Sequence, residues 1–286
     1  MVAMDSDQQP MKPAGRNTSM VGFHLCVHYR AISSGIYRPN NQSDVHGMIL
    51  AMLRAHDPVI SESLHQHGMR KPWSFSRAFF DGGKLVPDSP WVHVREGTAG
   101  RFYINTMSLD VYEAIAATSM GHRQARLNDI VLGITDIDCT RTDFASLLPT
   151  RDLQITFHTP TFFRERDDRH VTTYLDLSKL ISFQCDAVAK TGLISAEPKR
   201  LYGNIAILSQ STALSNGMLH EQGKNIVWPG FVGKAVLRCT SDDRALLEEF
   251  TALMLASQFT GVGSRTSAGF GHASVEILFN NEGRSG

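Results

Sequence analysis

The sequence lacks most of the features that would assign it quickly to a class. It has only four cysteines in 286 residues, Cys26, Cys139, Cys185 and Cys239, and no two of them form a C-x-x-C pair. Each lies in an apolar stretch, so buried reduced thiols are expected in place of a disulfide framework or a zinc site, and a reducing cytoplasm as the compartment. No run of eighteen apolar residues is present, which excludes a membrane-spanning helix. The N-terminal stretch MVAMDSDQQPMKPAGRNTS has no apolar core of the secretory kind and reads as a polar tail over residues 1–18. Net charge is missing too, since 28 Lys and Arg balance 28 Asp and Glu. That balance counts against a uniformly basic nucleic-acid binder and leaves room only for a local basic face. What the chain does have is 42% hydrophobic residues against 20% charged, enough to bury real cores.

The hydrophobic pattern divides the chain in two. Val21, Phe23, Leu25 and Val27 alternate with Gly22, His24, Cys26 and His28, the period of a strand with one dry face. Val45, Met48, Ile49, Met52 and Leu53 follow at helical spacing, with Ser43 and Asp44 as cap candidates. Asp57-Pro58 restarts a short helix, because proline suits the first helical position. Strands are expected over 72–80 and 91–106, a helix behind Ser108, and one strand over 126–137. The order strand, helix, two strands, helix, strand is ferredoxin-like. After a looser segment at 140–152 the same order returns: a strand at 153–159, mainly helix at 171–190, strands at 202–209 and 230–239, a helix at 242–257 and a last strand at 269–278. The fold class read here is α+β, with two tandem ferredoxin-like (RRM-like) domains spanning 19–139 and 153–280. No close sequence repeat accompanies the repeated order.

The most specific local feature is FTGVGSRTSAGFGHASV, residues 259–275. Gly261 and Gly263, then Gly269 and Gly271, flank Ser264-Arg265-Thr266-Ser267-Ala268. Glycines permit left-handed backbone and close approach of a ligand to the main chain. Exposed N–H groups, the hydroxyls of Ser264, Thr266 and Ser267, and the Arg265 cation would then suit phosphate oxygens. A Walker loop is excluded because no lysine is present. A dinucleotide fingerprint is excluded because Thr266 stands where its third glycine should be and a strand follows in place of a helix. A wide hairpin or bulge packed with small residues stays open as the alternative.

This loop resembles the C-terminal signature of the CRISPR-associated endoribonucleases that trim precursor CRISPR RNA at its repeats. Pro229-Gly230-Phe231-Val232-Gly233-Lys234 upstream of it, and Phe157-His158-Thr159-Pro160-Thr161-Phe162-Phe163-Arg164 at the start of the second domain, are similar to that family. In the first domain Val45-His46-Gly47-Met48, Asp57-Pro58, Leu64-His65 and Lys71-Pro72-Trp73-Ser74-Phe75-Ser76 resemble its helix pair and the strand after it. The resemblance implies cleavage of repeat RNA without metal or other cofactor, leaving a 5′-hydroxyl and a 2′,3′-cyclic phosphate. It places the catalytic histidine on His65, an assisting lysine on Lys71, and Leu50 where some members carry a tyrosine.

Such a reaction needs little from the protein. The ribose 2′-hydroxyl supplies the nucleophile, so one group must take its proton, one must protonate the departing 5′-oxygen, and cations must favour the pentavalent phosphorane. Histidine suits the proton transfers, with a pKa of roughly 6.5. His65 is the first candidate and His46, at the start of the long helix, the second. Two surface histidines at a helix end, His65 and His67, are the bland alternative. Arg70, Arg164 and Lys234 join the loop as candidate RNA contacts, with Lys199, Arg200 and Lys224 behind them. The expected partner is CRISPR repeat RNA, as precursor and as mature product, with other effector subunits or a second copy as further partners and no membrane. Two rivals remain: a repeat-binding subunit that does not cut, and a nucleotide- or metabolite-binding protein that uses the glycine loop.

Overall fold

The first strand, β1 (Val21–Ala31), turns Leu25, Val27, Tyr29 and Ala31 into a core and leaves His24, Cys26 and His28 less buried on the other face. The structure, a computed structural model, describes residues 20–65, 73–81, 91–121, 123–164, 170–189, 198–221 and 223–278. After β2 (Gly35–Tyr37) come α1 (Gln42–His56) and α2 (Pro58–His65). Then follow β3 (Trp73–Phe75), β4 (Phe79–Phe80), β5 (Val92–Val94), β6 (Ala99–Thr106), α3 (Leu109–Gly121), β7 (Gln124–Leu127) and β8 (Ile130–Asp143). The main sheet runs β3-β6-β1-β8-β7 with every pair antiparallel. Numbered along the chain, its four principal strands stand in the order 2-3-1-4, which is ferredoxin-like.

The second half repeats the plan. It contains β9 (Asp152–Thr161), β10 (Phe163–Arg164), β11 (Val171–Thr172), α4 (Leu177–Val188), α5 (Pro198–Leu201), β12 (Ile205–Glu221), β13 (Lys224–Cys239), α6 (Arg244–Thr260) and β14 (Ala273–Ile277). Its sheet order, β12-β13-β9-β14, is again 2-3-1-4. The tandem ferredoxin-like reading is borne out. Each domain buries its own core, Leu25, Val27, Ile49, Phe102 and Ile104 in the first and Leu153, Ile155, Leu237, Phe250 and Leu253 in the second. Among the described residues no helix is long and apolar enough to cross a membrane.

Local chemistry fixes the helix ends. The Asp57 carboxylate accepts from the N–H groups of Val59 and Ile60, at 2.8 and 3.1 Å, just where Pro58 opens α2. Asp176 and Asp243 cap α4 and α6 in the same way, accepting from Lys179 and Ala245 N–H. The cap of α1 differs from expectation. It is Asn41, whose side chain makes no cap bond, and Ser43 and Asp44 lie inside the first turn.

Three further differences have physical causes. The strand expected over 126–137 is two strands, because Asn128 takes a left-handed turn at φ 53° and folds β7 back on β8. β8 also runs on to Asp143, inside the segment read as a linker. The strands expected at 202–209 and 230–239 form one much longer ribbon, 17 and 16 residues in β12 and β13. Its outer part has exposed residues on both faces, so hydrophobic alternation has nothing to report there.

That ribbon reaches the first domain. Met218 N–H donates to the Asn40 carbonyl at 2.8 Å and His220 N–H to Ser43 Oγ at 2.6 Å, both beside the start of α1. Nearby, the end of α6 seals against the first sheet. The Gln258 carbonyl accepts from Asn105 Nδ2 at 2.7 Å and from Ser74 Oγ at 3.2 Å.

Candidate functional site

The glycine-rich loop lies at the junction of the two domains. α6 ends at Gly261, and the chain then closes on itself, with Val262 N–H donating to the Gly271 carbonyl at 2.8 Å. It rests on the stretch after β9. Gly271 N–H donates to Pro160 O at 3.0 Å, Ser264 N–H to Phe162 O at 2.8 Å, and Arg164 N–H to Ser264 Oγ at 2.9 Å. A side chain at Gly271, where φ is 62°, would place Cβ 1.8 Å from the Val262 carbonyl, so only glycine closes the loop. At Gly269 the obstacle comes from the other domain. Its Cβ would stand 2.6 Å from the Phe75 ring and 2.7 Å from Gln42 Oε1.

The loop therefore differs in kind from the open cradle of N–H groups expected from sequence. Those of Val262, Ser264, Ala268, Gly269 and Gly271 are already bonded within the protein. What the loop presents is a set of side chains on a braced frame. Arg265, in left-handed conformation at φ 58°, precedes a single helical turn, Thr266–Ala268, and aims its guanidinium at the hairpin. There it pairs with Glu221 and lies 4.8 Å from the centre of the Trp228 ring. Arg164 lies over the same ring at 4.9 Å, and the indole is stacked on Phe162 with centroids 5.3 Å apart. Two cations thus converge on one aromatic plate at the edge of the loop.

The histidine candidates divide. His46 sits in α1 with its ring stacked on Phe75 at 5.9 Å and 7°, and Phe75 is the residue that Gly269 abuts. An imidazole is thereby placed one side chain away from the loop. His65 is the last residue of α2; its side chain, and the whole of Arg70 and Lys71, lie outside the described residues. Leu50 is buried in the first core. Lys234 is exposed on β13, in one cross-strand row with Thr156 and Ser274 on the face away from the core.

Several participants carried no sequence signal of their own. Trp228 and Glu221 reach the loop only because the long hairpin folds back. A second cluster comes from four strands, β1, β6, β9 and β14, and the turn before β14. His24 Nδ1 bonds Asn105 Oδ1 at 2.5 Å, His158 Nε2 bonds Ser274 Oγ at 2.8 Å, and the rings of His158 and His272 lie 5.5 Å apart. His272 is 5% exposed, and burial, with the neighbouring His158 and His24, pushes its pKa down to about 3. Burial and the Arg77 guanidinium lower that of His158 as well. Both imidazoles are neutral bases at pH 7. Among the described residues no three His, Cys, Asp or Glu side chains group as they would to hold a metal ion.

Residues 155–273, which span most of the second domain and both glycine pairs of the loop, match the family model of the CRISPR-associated endoribonuclease Cas6. Solved structures of similar fold include Thermus thermophilus Cas6 TTHB231 as a product complex, at TM-score 0.70 and 18% identity over 91% of this chain and 100% of that one. A Cas6 substrate-mimic complex, TTHA0078, gives 0.62 and 19% over 90% and 100%. A Cas6-related protein of Pyrococcus furiosus gives 0.64 and 13% over 91% and 99%. No curated protein matches the chain by sequence. The family resemblance read from the sequence is borne out.

Proposed function

We propose that this chain belongs to the CRISPR-associated endoribonuclease Cas6 family, binds CRISPR repeat RNA and cuts the precursor transcript by attack of a ribose 2′-hydroxyl on the adjacent phosphorus. The observation that carries the reading is the meeting of the glycine-rich loop with the first domain, where Gly269 rests on Phe75 and Phe75 on the His46 ring. A candidate phosphate-gripping element and the imidazole-bearing helix α1 share one junction. Structures of similar fold solved as a Cas6 product complex and as a Cas6 substrate-mimic complex, and one of a protein binding different RNA substrates, support the same class of partner.

The chemistry assigned here balances without a bound metal. The O2′–P bond forms as the P–O5′ bond breaks. One imidazole takes the proton from O2′, a second group delivers one to O5′, and the products are a 2′,3′-cyclic phosphate and a 5′-hydroxyl. His65 is the first choice for proton transfer, with His46 as the alternative. Lys71 stabilises the phosphorane by its charge, since lysine and arginine at their ordinary pKa cannot act as bases. Arg265 and Arg164 on the Trp228 plate, the braced loop from Gly261 to Gly271 with Ser264 and Thr266, Lys234 and Arg70 hold the RNA backbone. Shape and unpaired bases supply sequence choice, because the deep groove of an RNA duplex is too narrow to read.

A labelled repeat RNA incubated with the protein, with and without EDTA, tests this directly. Cleavage that persists in EDTA, ends in cyclic phosphate and stops when the nucleotide before the scissile bond is 2′-deoxy is the expected result. A second reading, a repeat-binding subunit that does not cut, is favoured by one observation. Leu50, a buried aliphatic side chain, stands where some family members carry a tyrosine. Tight binding with no product in any buffer would select it.

A further inference from the structure

Between β10 and α4 of the second domain lies a groove of about 280 Å³. It is lined by Phe163, Phe183 and Tyr202 together with Arg164, Lys179, Ser178 and Ser182. Of its lining residues only Arg164 enters the preceding reading.

Its construction is specific. Lys179, Ser182 and Phe183 stand three and four residues apart in α4 and so share one helix face. β10 supplies Phe163 and Arg164 from the opposite side, and Tyr202, 36% exposed, closes the end. Phe163 and Phe183 meet edge to face at 5.4 Å, which fixes the wall. The Lys179 ammonium is steered by a 2.6 Å bond to Thr172 Oγ1. The Asp176 carboxylate caps α4, accepting from Ser178 Oγ at 2.6 Å and from Lys179 N–H at 3.1 Å.

The groove is also continuous with the loop. Arg164 lines it and holds its own N–H on Ser264 Oγ, while its guanidinium lies over Trp228. Arg265 lies over the same Trp228 ring, so a strand of RNA held there would have Arg164 within its reach. Aromatic walls with a hydroxyl and two cations match a nucleobase carrying its phosphate, and a volume just under the range of about 300–1,000 Å³ usual for drug-sized ligands suits one base alone.

We propose that this groove captures one unpaired nucleobase of the bound RNA, stacked on Tyr202 and Phe183, with the adjoining phosphate between Arg164 and Lys179. The proposal rests on the repeat-RNA reading above and adds to it a site that selects a single-stranded position.

The test combines one protein variant with abasic substitutions along the unpaired nucleotides of the repeat. Tyr202→Ala is expected to weaken binding about five- to a hundredfold, the usual loss for one stacked base. Tyr202→Phe, which keeps the ring, should bind as the parent does. One abasic position should cost the parent protein a similar factor and cost Tyr202→Ala almost nothing further. Full additivity at every position, or unchanged affinity in a Tyr202→Ala protein with parental melting temperature, overturns the proposal. A melting shift from free nucleoside monophosphates that Tyr202→Ala abolishes, with a flat abasic scan, assigns the groove to a free ligand and also overturns it. Failure of the parent protein to bind repeat RNA is read before any variant is made, and it refutes the underlying function itself.

Discussion

Glu221, at the tip end of β12, forms an ion pair with Arg265 in the glycine-rich loop, and both side chains are about a quarter exposed. A carboxylate therefore occupies the guanidinium that the RNA reading assigns to a phosphate. Displacing it has a cost that removing it would recover. Glu221→Gln is expected to tighten repeat-RNA binding by about two- to fivefold at low salt, the scale of a partly exposed ion pair. Arg265→Ala should weaken binding, lower the salt dependence by about one phosphate contact, and leave Glu221→Gln without effect in the double variant. Filter binding across a salt series measures all three.

The two histidine candidates separate by experiment because only one is known to pack. His65→Ala is expected to lower the cleavage rate by about 10²–10⁴ while RNA binding persists, the usual worth of a positioned proton-transfer group. His46 is stacked on Phe75 and lies 6.2 Å from the Trp73 ring. His46→Ala should thus cost about 0.5–1.5 kcal/mol of packing and lower the melting temperature by several degrees. Single-turnover rates alongside thermal melts distinguish lost chemistry from lost packing.

Acid should destabilise the fold through His272. Its native pKa, about 3, is lower than the unfolded value near 6.5. Between those values the unfolded chain binds a proton that the native state refuses, so stability is present above pH 6.5 and is lost as pH falls toward 3. The slope approaches about 1.4 kcal/mol per pH unit. Melts between pH 7.5 and 4.5 should show this loss, and His272→Gln should flatten the profile.

Gly269→Ala would force a side chain into left-handed backbone, at φ 90°, against Phe75 and Gln42. A cost of about 1–3 kcal/mol is expected, together with weaker RNA binding, because the loop must lift off the first domain. Gly97→Ala gives the control. It also has positive φ, at 83°, but no atom within 4 Å of the new Cβ, so it should carry the backbone cost without the change in binding.

Much of this architecture was legible in the residues. The alternation in β1, the helical spacing of Val45, Met48, Ile49 and Met52, and the Asp57-Pro58 start gave the first domain's frame, and the glycine pairs marked the loop. The loop's real bonding was not legible, because spacing cannot reveal that Ser264 and Gly271 spend their N–H groups on Phe162 and Pro160. The outer hairpin was hidden for a different reason. Residues 208–216 are mostly exposed on both sides of the ribbon, so no hydrophobic period records that stretch of strand. Trp228, Glu221 and the His24, His158 and His272 cluster become neighbours only through long-range pairings, in some cases more than a hundred residues apart, such as Asn105 with the Gln258 carbonyl and His158 with Ser274.

The ribbon of β12 and β13 belongs to the second domain by its base and to the first by its far end, where Met218 and His220 are tied to Asn40 and Ser43. Its length makes it a strap that one half of the molecule keeps fastened around the other. Heat should consequently take both halves apart in one calorimetric step, and cutting the chain between them should yield fragments that each lose part of what held the other in shape.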